Sequence, residues 1–178
     1  MPPVRWYNQK NKSRLARDFC LRKMPEIIDK FSDSKKGVNF IGVTCVFFCH
    51  DGKGRLLMHR RSKNCRDEKG RWDCGSGSME FGESFEEAAR REIHEEYCVK
   101  PRKLNFCGVT NVIRKNSRQK THWIAAIFAT KVNPEHIKIG EPHKMKEIGW
   151  FLTAKLPRPL HSMLLKHLGV VRKAGVKI

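Results

Sequence analysis

The sequence predicts an α/β domain, on three observations. A stretch rich in β-branched and aromatic residues, "NFIGVTCVFFCH", is followed by the turn "DGKG" and by "RLLMHR", which resumes an extended pattern. A glycine-rich run, "GSGSMEFG", opens onto a segment with a helix-start signal and helical periodicity. Further extended segments then precede an apolar closing helix.

In chain order, residues 1–36 are a basic leader in which Leu15, Phe19, Met24, Ile27, Ile28 and Phe31 could form one or two amphipathic helices. From Gly37 the texture turns extended, and strand, turn and strand read as a hairpin. A polar loop from Ser62 to Arg71 leads to the glycines and the helix. Strands follow near Leu104 to Arg114 and His122 to Val132, separated by "KNSRQK". After a loop with Pro134, Gly140 and Pro142, "EIGWFL" is a short strand, "LPRPL" a stop, and "LHSMLLKHL" a helix before the basic tail "VVRKAGVKI". The organisation expected is a leader (1–36), a main domain (37–156) and a C-terminal helix with its tail (157–178).

A chain of 178 residues with 39% hydrophobic content can bury one respectable core. Its net charge of +19 favours anionic partners such as nucleotides, RNA or polyphosphates. The longest apolar stretch, about Ile41 to Cys49, is too short to span a bilayer, and no apolar segment follows the charges of the N-terminus. The expectation is a cytoplasmic protein with no membrane partner. Seven cysteines, an odd number without a C-x-x-C pair, indicate reduced structural thiols.

The helix carries the chemistry. Ser84 followed three residues later by Glu87 is a capping box, and Glu86 with Glu87 suits the positive end of the helix dipole. At 100° per residue from Phe85, Ala88 falls at about 300°, Glu92 at about 340°, Glu96 at about 20°, Ala89 at about 40°, Ile93 at about 80° and Glu95 at about 280°. Three carboxylates therefore share the apolar side, while Glu87, Arg90 and His94 lie opposite. On a wet surface, pairs such as Glu92 with Glu96 would repel by only a few tenths of a kcal/mol. Half-buried, the three cost more unless a cation compensates or protons are taken up. Magnesium or manganese suits hard oxygen ligands. A charged helix turned toward solvent is the competing reading.

Gly77, five residues, Glu83, seven residues, then Arg91-Glu92-Ile93-His94-Glu95-Glu96-Tyr97-Cys98-Val99 resembles the Nudix box. Gly77, Glu83, Arg91, Glu92, Ile93, Glu95 and Glu96 match it, and Val99 fits. The surrounding strand order resembles the family's α/β/α sandwich with a mixed β-sheet. Departures are Cys98, where the family usually has the glycine that ends the helix, and Gly75 and Ser76, where it has proline and glycine. None touches a carboxylate.

The resemblance implies metal-assisted hydrolysis of a diphosphate bond in a nucleoside diphosphate derivative, with Mg2+ or Mn2+ as cofactor. Position by position, Glu95 and Glu96 resemble the principal metal ligands, Glu92 a further ligand or the general base, and Gly77 a ligand through its carbonyl. Glu83 and Arg91 resemble a brace between loop and helix. Glu141, preferred over Glu147, would complete the shell. Glu80, Glu86 and Glu87 read as solvated acids.

Substrate-binding candidates are Arg61 and Arg66, whose spacing with Ser62 and Gly70 resembles the motif before the box in coenzyme A diphosphatases, although among 37 basic residues chance explains the match more economically. Trp123, Trp150 and Phe151 could stack on a base, though strand aromatics are more often core. The function expected is hydrolysis of a small nucleotide-type molecule such as a nucleoside triphosphate or an ADP-ribose-like compound. The alternative is an RNA- or polyphosphate-binding Nudix-fold protein, or an RNA-end (cap) hydrolase, using Lys10, Lys12, Arg14, Arg17, Arg22 and Lys23 of the leader and Arg172, Lys173 and Lys177 of the tail.

Overall fold

A computed structural model describes residues 34–115 and 119–178. The amphipathic pattern and the basic side chains expected to act in the leader, and Cys20, lie outside the described residues. The strands are β1 (Gly42–His50), β2 (Arg55–Arg61), β3 (Trp72–Asp73), β4 (Gly75–Ser78), β5 (Asn105–Lys115), β6 (Lys120–Lys131) and β7 (Met145–Leu152), with helices α1 (Phe85–Tyr97) and α2 (Leu164–Lys173). They make one mixed seven-stranded sheet, ordered β3-β2-β1-β6-β5, with β4 on β1 and β7 on β2. The pairing of β1 with β6 is parallel; the others are antiparallel.

Side chains alternate across a strand, so the central strands feed two cores. Cys45, Phe47 and Cys49 of β1, Leu57 of β2 and Ala126 and Phe128 of β6 pack against Ala88, Ala89, Ile93 and Tyr97 of α1. Their neighbours Val46, Phe48, Leu56, Met58, Ala125 and Ile127 point the other way, against Leu164, Leu168 and Val171 of α2. A helix on each face completes the α/β/α sandwich.

Three elements differ from the sequence reading. The hairpin of β1 and β2 closes at a single pair, His50 with Leu56. Asp51 locks the turn by accepting from Lys53 N at 2.7 Å, Arg55 N at 3.1 Å and Arg55 Nε at 2.6 Å. Beyond it the strands part, because β1, apolar on both faces, pairs with β6 from Gly42 to His50 while β2 pairs with β7.

The glycine-rich stretch, expected as a loop, contains strand β4, with Cys45 opposite Gly77 and Phe47 opposite Gly75. Close approach explains its composition: a Cβ at Gly75 would lie 1.8 Å from the Phe47 ring, and one at Gly77 would lie 1.7 Å from the Glu92 carboxyl carbon. The closing helix begins at Leu164 and runs into the expected tail. Residues just before it cannot join, since Trp72 N donates to Pro159 O and His161 N to Trp72 O, both at 2.8 Å.

Candidate active site

Helix α1 is fixed at both ends. Ser84 Oγ accepts from Glu87 N at 3.2 Å, and Glu87 Oε2 accepts from Ser84 N at 2.8 Å, so the capping box is present. At the other end Cys98 has φ 58°, the left-handed conformation that a glycine there would adopt without strain. Between them, Glu92 and Glu96 are buried, only 7% and 4% exposed, beneath β4. Glu95 is not: its side chain is 46% exposed. Two carboxylates, rather than three, are buried, because the edge of the apolar arc where Glu95 falls lies beyond the strands that cover it.

Arg91 ties the helix to the loop before it. Its Nε and Nη2 donate to the two Glu83 oxygens at 2.6 and 3.0 Å, and Nη2 also donates to Ser78 O at 3.1 Å. Its Nη1 reaches Glu92 Oε1 at 2.8 Å and Glu95 Oε2 at 3.2 Å. The hydrogen bonds from Arg91 hold the Glu83 carboxyl down at about 2. Glu92 moves oppositely, since burial outweighs its contact with Arg91 and raises its pKa. Glu96 is raised well above the usual carboxylate range by burial, then by Glu92 and Glu141.

The two acids that competed as the distal site residue now differ in place. Glu147 on β7 pairs with Arg60 at 3.2 Å, both well exposed. Glu141 lies near enough to act on Glu96; its Oε1 accepts from Lys144 Nζ at 2.6 Å. Glu141 Oε2 and Glu96 Oε2 are both buried without a hydrogen-bond partner among the described residues. The nearest donor to the other Glu96 oxygen is Ser76 N, at 3.5 Å. Gly77 O already accepts from Thr44 Oγ1 at 2.7 Å and retains a second lone pair.

Buried anionic oxygens without donors are what a hard divalent cation neutralises, so the donor set fits magnesium or manganese. Among the described residues, no three His, Cys, Asp or Glu side chains are already gathered around a single point. Arg91 and Lys144 instead supply the positive charge. Burial works against the Lys144 ammonium, yet Glu141, Glu92 and Glu96 together raise its pKa. Sequence reasoning missed this lysine, although its i+3 spacing from Glu141 was legible.

A cavity of about 360 Å³ opens beside these acids. Gly77 and Glu96 line it, as do Arg61, Arg66 and Trp123. Arg61 donates to Asp67 Oδ1 at 2.9 Å and lies 3.6 Å from Asp73 Oδ2. Arg66 lies over the Trp123 ring, 5.1 Å from its centroid. Trp123 is 6% exposed, with Gly37 and Gly42 against its ring, so most of the indole serves packing. Trp150 and Phe151 pack against the two cores. The wall also holds Asp73, His161 and His167, which sequence reasoning did not single out.

Residues 40–171 match the family model for the NUDIX domain. The chain belongs to the Nudix hydrolase superfamily. It resembles 8-oxo-dGDP phosphatase NUDT18 of Mus musculus, at 25% identity over 132 residues that cover 73% of this chain and 38% of that protein. This Nudix chain thus spans well under half of that relative. Among solved structures it resembles a MutT NUDIX hydrolase from Burkholderia pseudomallei, at 26% identity and a TM-score of 0.66, over 74% of this chain and 98% of that one. The NUDIX domain of Shewanella oneidensis NrtR, complexed with ADP ribose, shares the fold at 17% identity and a TM-score of 0.62, covering 86% of this chain and 99% of that one. Among the described residues no helix is long and apolar enough to cross a membrane.

Proposed function

We propose that this chain is a metal-dependent diphosphohydrolase acting on a nucleoside diphosphate derivative of small size. The observation that carries the reading is the buried oxygen of Glu96, without a partner among the described residues and set on α1 at the edge of a cavity that arginines also line. In a merely structural helix such an oxygen would be a cost without return. The activity named for the mouse relative and for the MutT protein supports the reaction class.

Glu92, Glu95, Glu96 and Glu141, with the carbonyl of Gly77, would hold Mg2+ or Mn2+. Bound there, the metal supplies an activated water and neutralises charge on the leaving phosphate. The chain's own residues do the rest. Arg91 holds Glu83, Ser78 O and Glu92 in one array, which fixes the loop against the helix. Glu92, whose pKa burial raises, would serve either as a further ligand or as the general base. Arg66, the more exposed of the two arginines, would present its guanidinium group to phosphate oxygens from the cavity wall, while Arg61, tied to Asp67, would shape that wall.

The test is a phosphate-release assay on nucleoside diphosphates, triphosphates and ADP-ribose with magnesium or manganese. Turnover that vanishes with EDTA and in Glu96→Gln is expected. Unchanged turnover in Glu96→Gln would remove the assignment.

A further inference from the structure

Glu141 stands on a turn rather than on a helix or strand. Its carbonyl accepts from Lys144 N at 2.9 Å and from Met145 N at 3.0 Å, and β7 begins at Met145. On one side this turn is moored to α1. Gly140 N donates to Glu96 O at 2.9 Å, and a Cβ at Gly140 would lie 1.8 Å from Glu95 O, so only a glycine allows the approach.

On the other side the turn is moored to the polar loop that follows β2. Ser62 Oγ donates to His143 O at 2.6 Å, and Asn64 Nδ2 donates to the same oxygen at 3.2 Å. Ser62 N donates to Lys144 O at 2.8 Å, and Cys65 Sγ donates to that oxygen at 3.2 Å. Consecutive carbonyls of the turn therefore have both lone pairs engaged by one short loop. Ser62 Oγ also accepts from Asn64 N at 3.1 Å, a local bond that sets the two side chains toward His143 together. An alanine at 62 could make neither hydroxyl contact.

The loop that supplies these donors is itself anchored further along. Glu68, at φ 49°, accepts from Ser162 N at 3.2 Å and from Ser162 Oγ at 2.7 Å. Asp67 accepts from Arg61 at 2.9 Å and from Arg114 at 2.8 Å. A turn held by such a loop has a fixed place to stand. Its place has chemical weight, because a metal-binding carboxylate has to be kept within a fraction of an ångström of its productive position by the groups around it.

We propose that Ser62 and Asn64 are positioning residues of the metal site, which grasp the His143 carbonyl, hold the Glu141 turn against α1 and so set the place of the Glu141 carboxylate. The inference rests on the hydrolase reading, in which Glu141 belongs to the donor set for Mg2+ or Mn2+. Neither positioning residue touches the metal or the substrate.

The test is a titration of the full chain with Mn2+ in the absence of substrate, with the free ion followed by electron paramagnetic resonance. Ser62→Ala is expected to weaken Mn2+ binding about fivefold, as the loss of one hydrogen bond gives. Ser62→Thr, which keeps the hydroxyl, should bind as the unaltered chain does. In a Glu141→Ala background the Ser62→Ala step should change nothing further, because the carboxylate it positions is gone. A serine with a merely structural role would cost as much in both backgrounds.

Glu96→Gln judges the hydrolase reading separately: Mn2+ binding indifferent to that substitution would remove the reading and this inference with it. Where binding does depend on Glu96, an unaltered affinity in Ser62→Ala, or an equal loss in the Glu141→Ala background, would overturn the positioning role alone. Should Ser62→Ala not fold, Asn64→Ala, which breaks the second bond to the same oxygen, carries the same two expectations.

Discussion

Glu83 and Glu96 are the same residue type thirteen positions apart in one motif, and they sit in opposite environments. Glu83 is on the loop, tied at both oxygens by Arg91 and accepting from Glu80 N at 2.8 Å, so its charge is welcome. Glu96 is under β4, with one oxygen unpartnered among the described residues and two acids nearby, so its charge is resisted. A carboxylate already satisfied by its own chain can hold a loop in place. One left wanting by its own chain has something to offer a ligand.

The largest expected effect is at the unsatisfied acid. Glu96→Gln should lower metal-dependent turnover by about a thousandfold, the scale for removing one preorganised charge-stabilising group, while the metal-free protein melts no lower. Paired assays of turnover and melting would show whether the two properties separate. The Glu83 side should respond differently: Arg91→Ala removes the tie and should reduce turnover less, with a lower melting temperature.

Acidity sharpens the contrast. Burial raises Asp73 to about 7, so its contribution to stability is present in full below pH 3.8 and is lost as pH rises through about 7. Glu96, also raised, acts in the same direction. The buried histidines oppose them: His59, His161 and His167 are lowered to about 3, 4 and 4, so their contribution is present above 6.5 and is lost as pH falls toward those values. Between pH 5.5 and 8 the two groups of residues oppose each other, so the readout is the change on substitution: Asp73→Asn should shift the balance of melting temperatures of the metal-free protein toward pH 8. An unchanged difference would place Asp73 among the satisfied acids.

Lys144 is the bridge between the two classes, a tethered cation bonded to Glu141 among unsatisfied acids. Lys144→Met should change the metal concentration for half-maximal rate more than Glu147→Ala does, since Glu147 pairs with Arg60 instead. Metal titrations of the two variants would compare them. The smallest effect concerns the end of α1. Cys98→Gly should stabilise the chain by about 1 kcal/mol, or about 2–4 °C in melting, without altering turnover.

Much of this was legible before any coordinates. The capping box at Ser84 follows from local spacing, and the departure at Cys98 marked the helix end where the left-handed residue stands, whereas the single core expected proved to be two, one on each face of the sheet. What escaped depended on distant partners. The glycines at 75 and 77 looked like a loop until Phe47 and Glu92 were seen to fill the space where side chains would stand. Glu95 fell outside the buried arc because the extent of β4, unlike helical period, is not written in α1. Asp73, His161 and His167 are far apart in sequence and carry no mutual spacing signal, so only the cavity brings them together.

The parallel ladder at the centre of the sheet has a consequence for how the chain reaches its native state. Gly42 pairs with Trp123, roughly eighty residues later, and the match continues to His50 with Lys131. The neighbouring β1–β2 turn contributes one pair, so little local zippering can stand in for that long closure. Helix α1, with its self-contained capping box, can form transiently on its own, but it lies inside the loop to be closed. Assembly of β1 with β6 is therefore the slow event expected of high contact order. Until it happens, Phe47, Phe128 and their neighbours remain exposed, and during that interval the nascent chain is most open to aggregation.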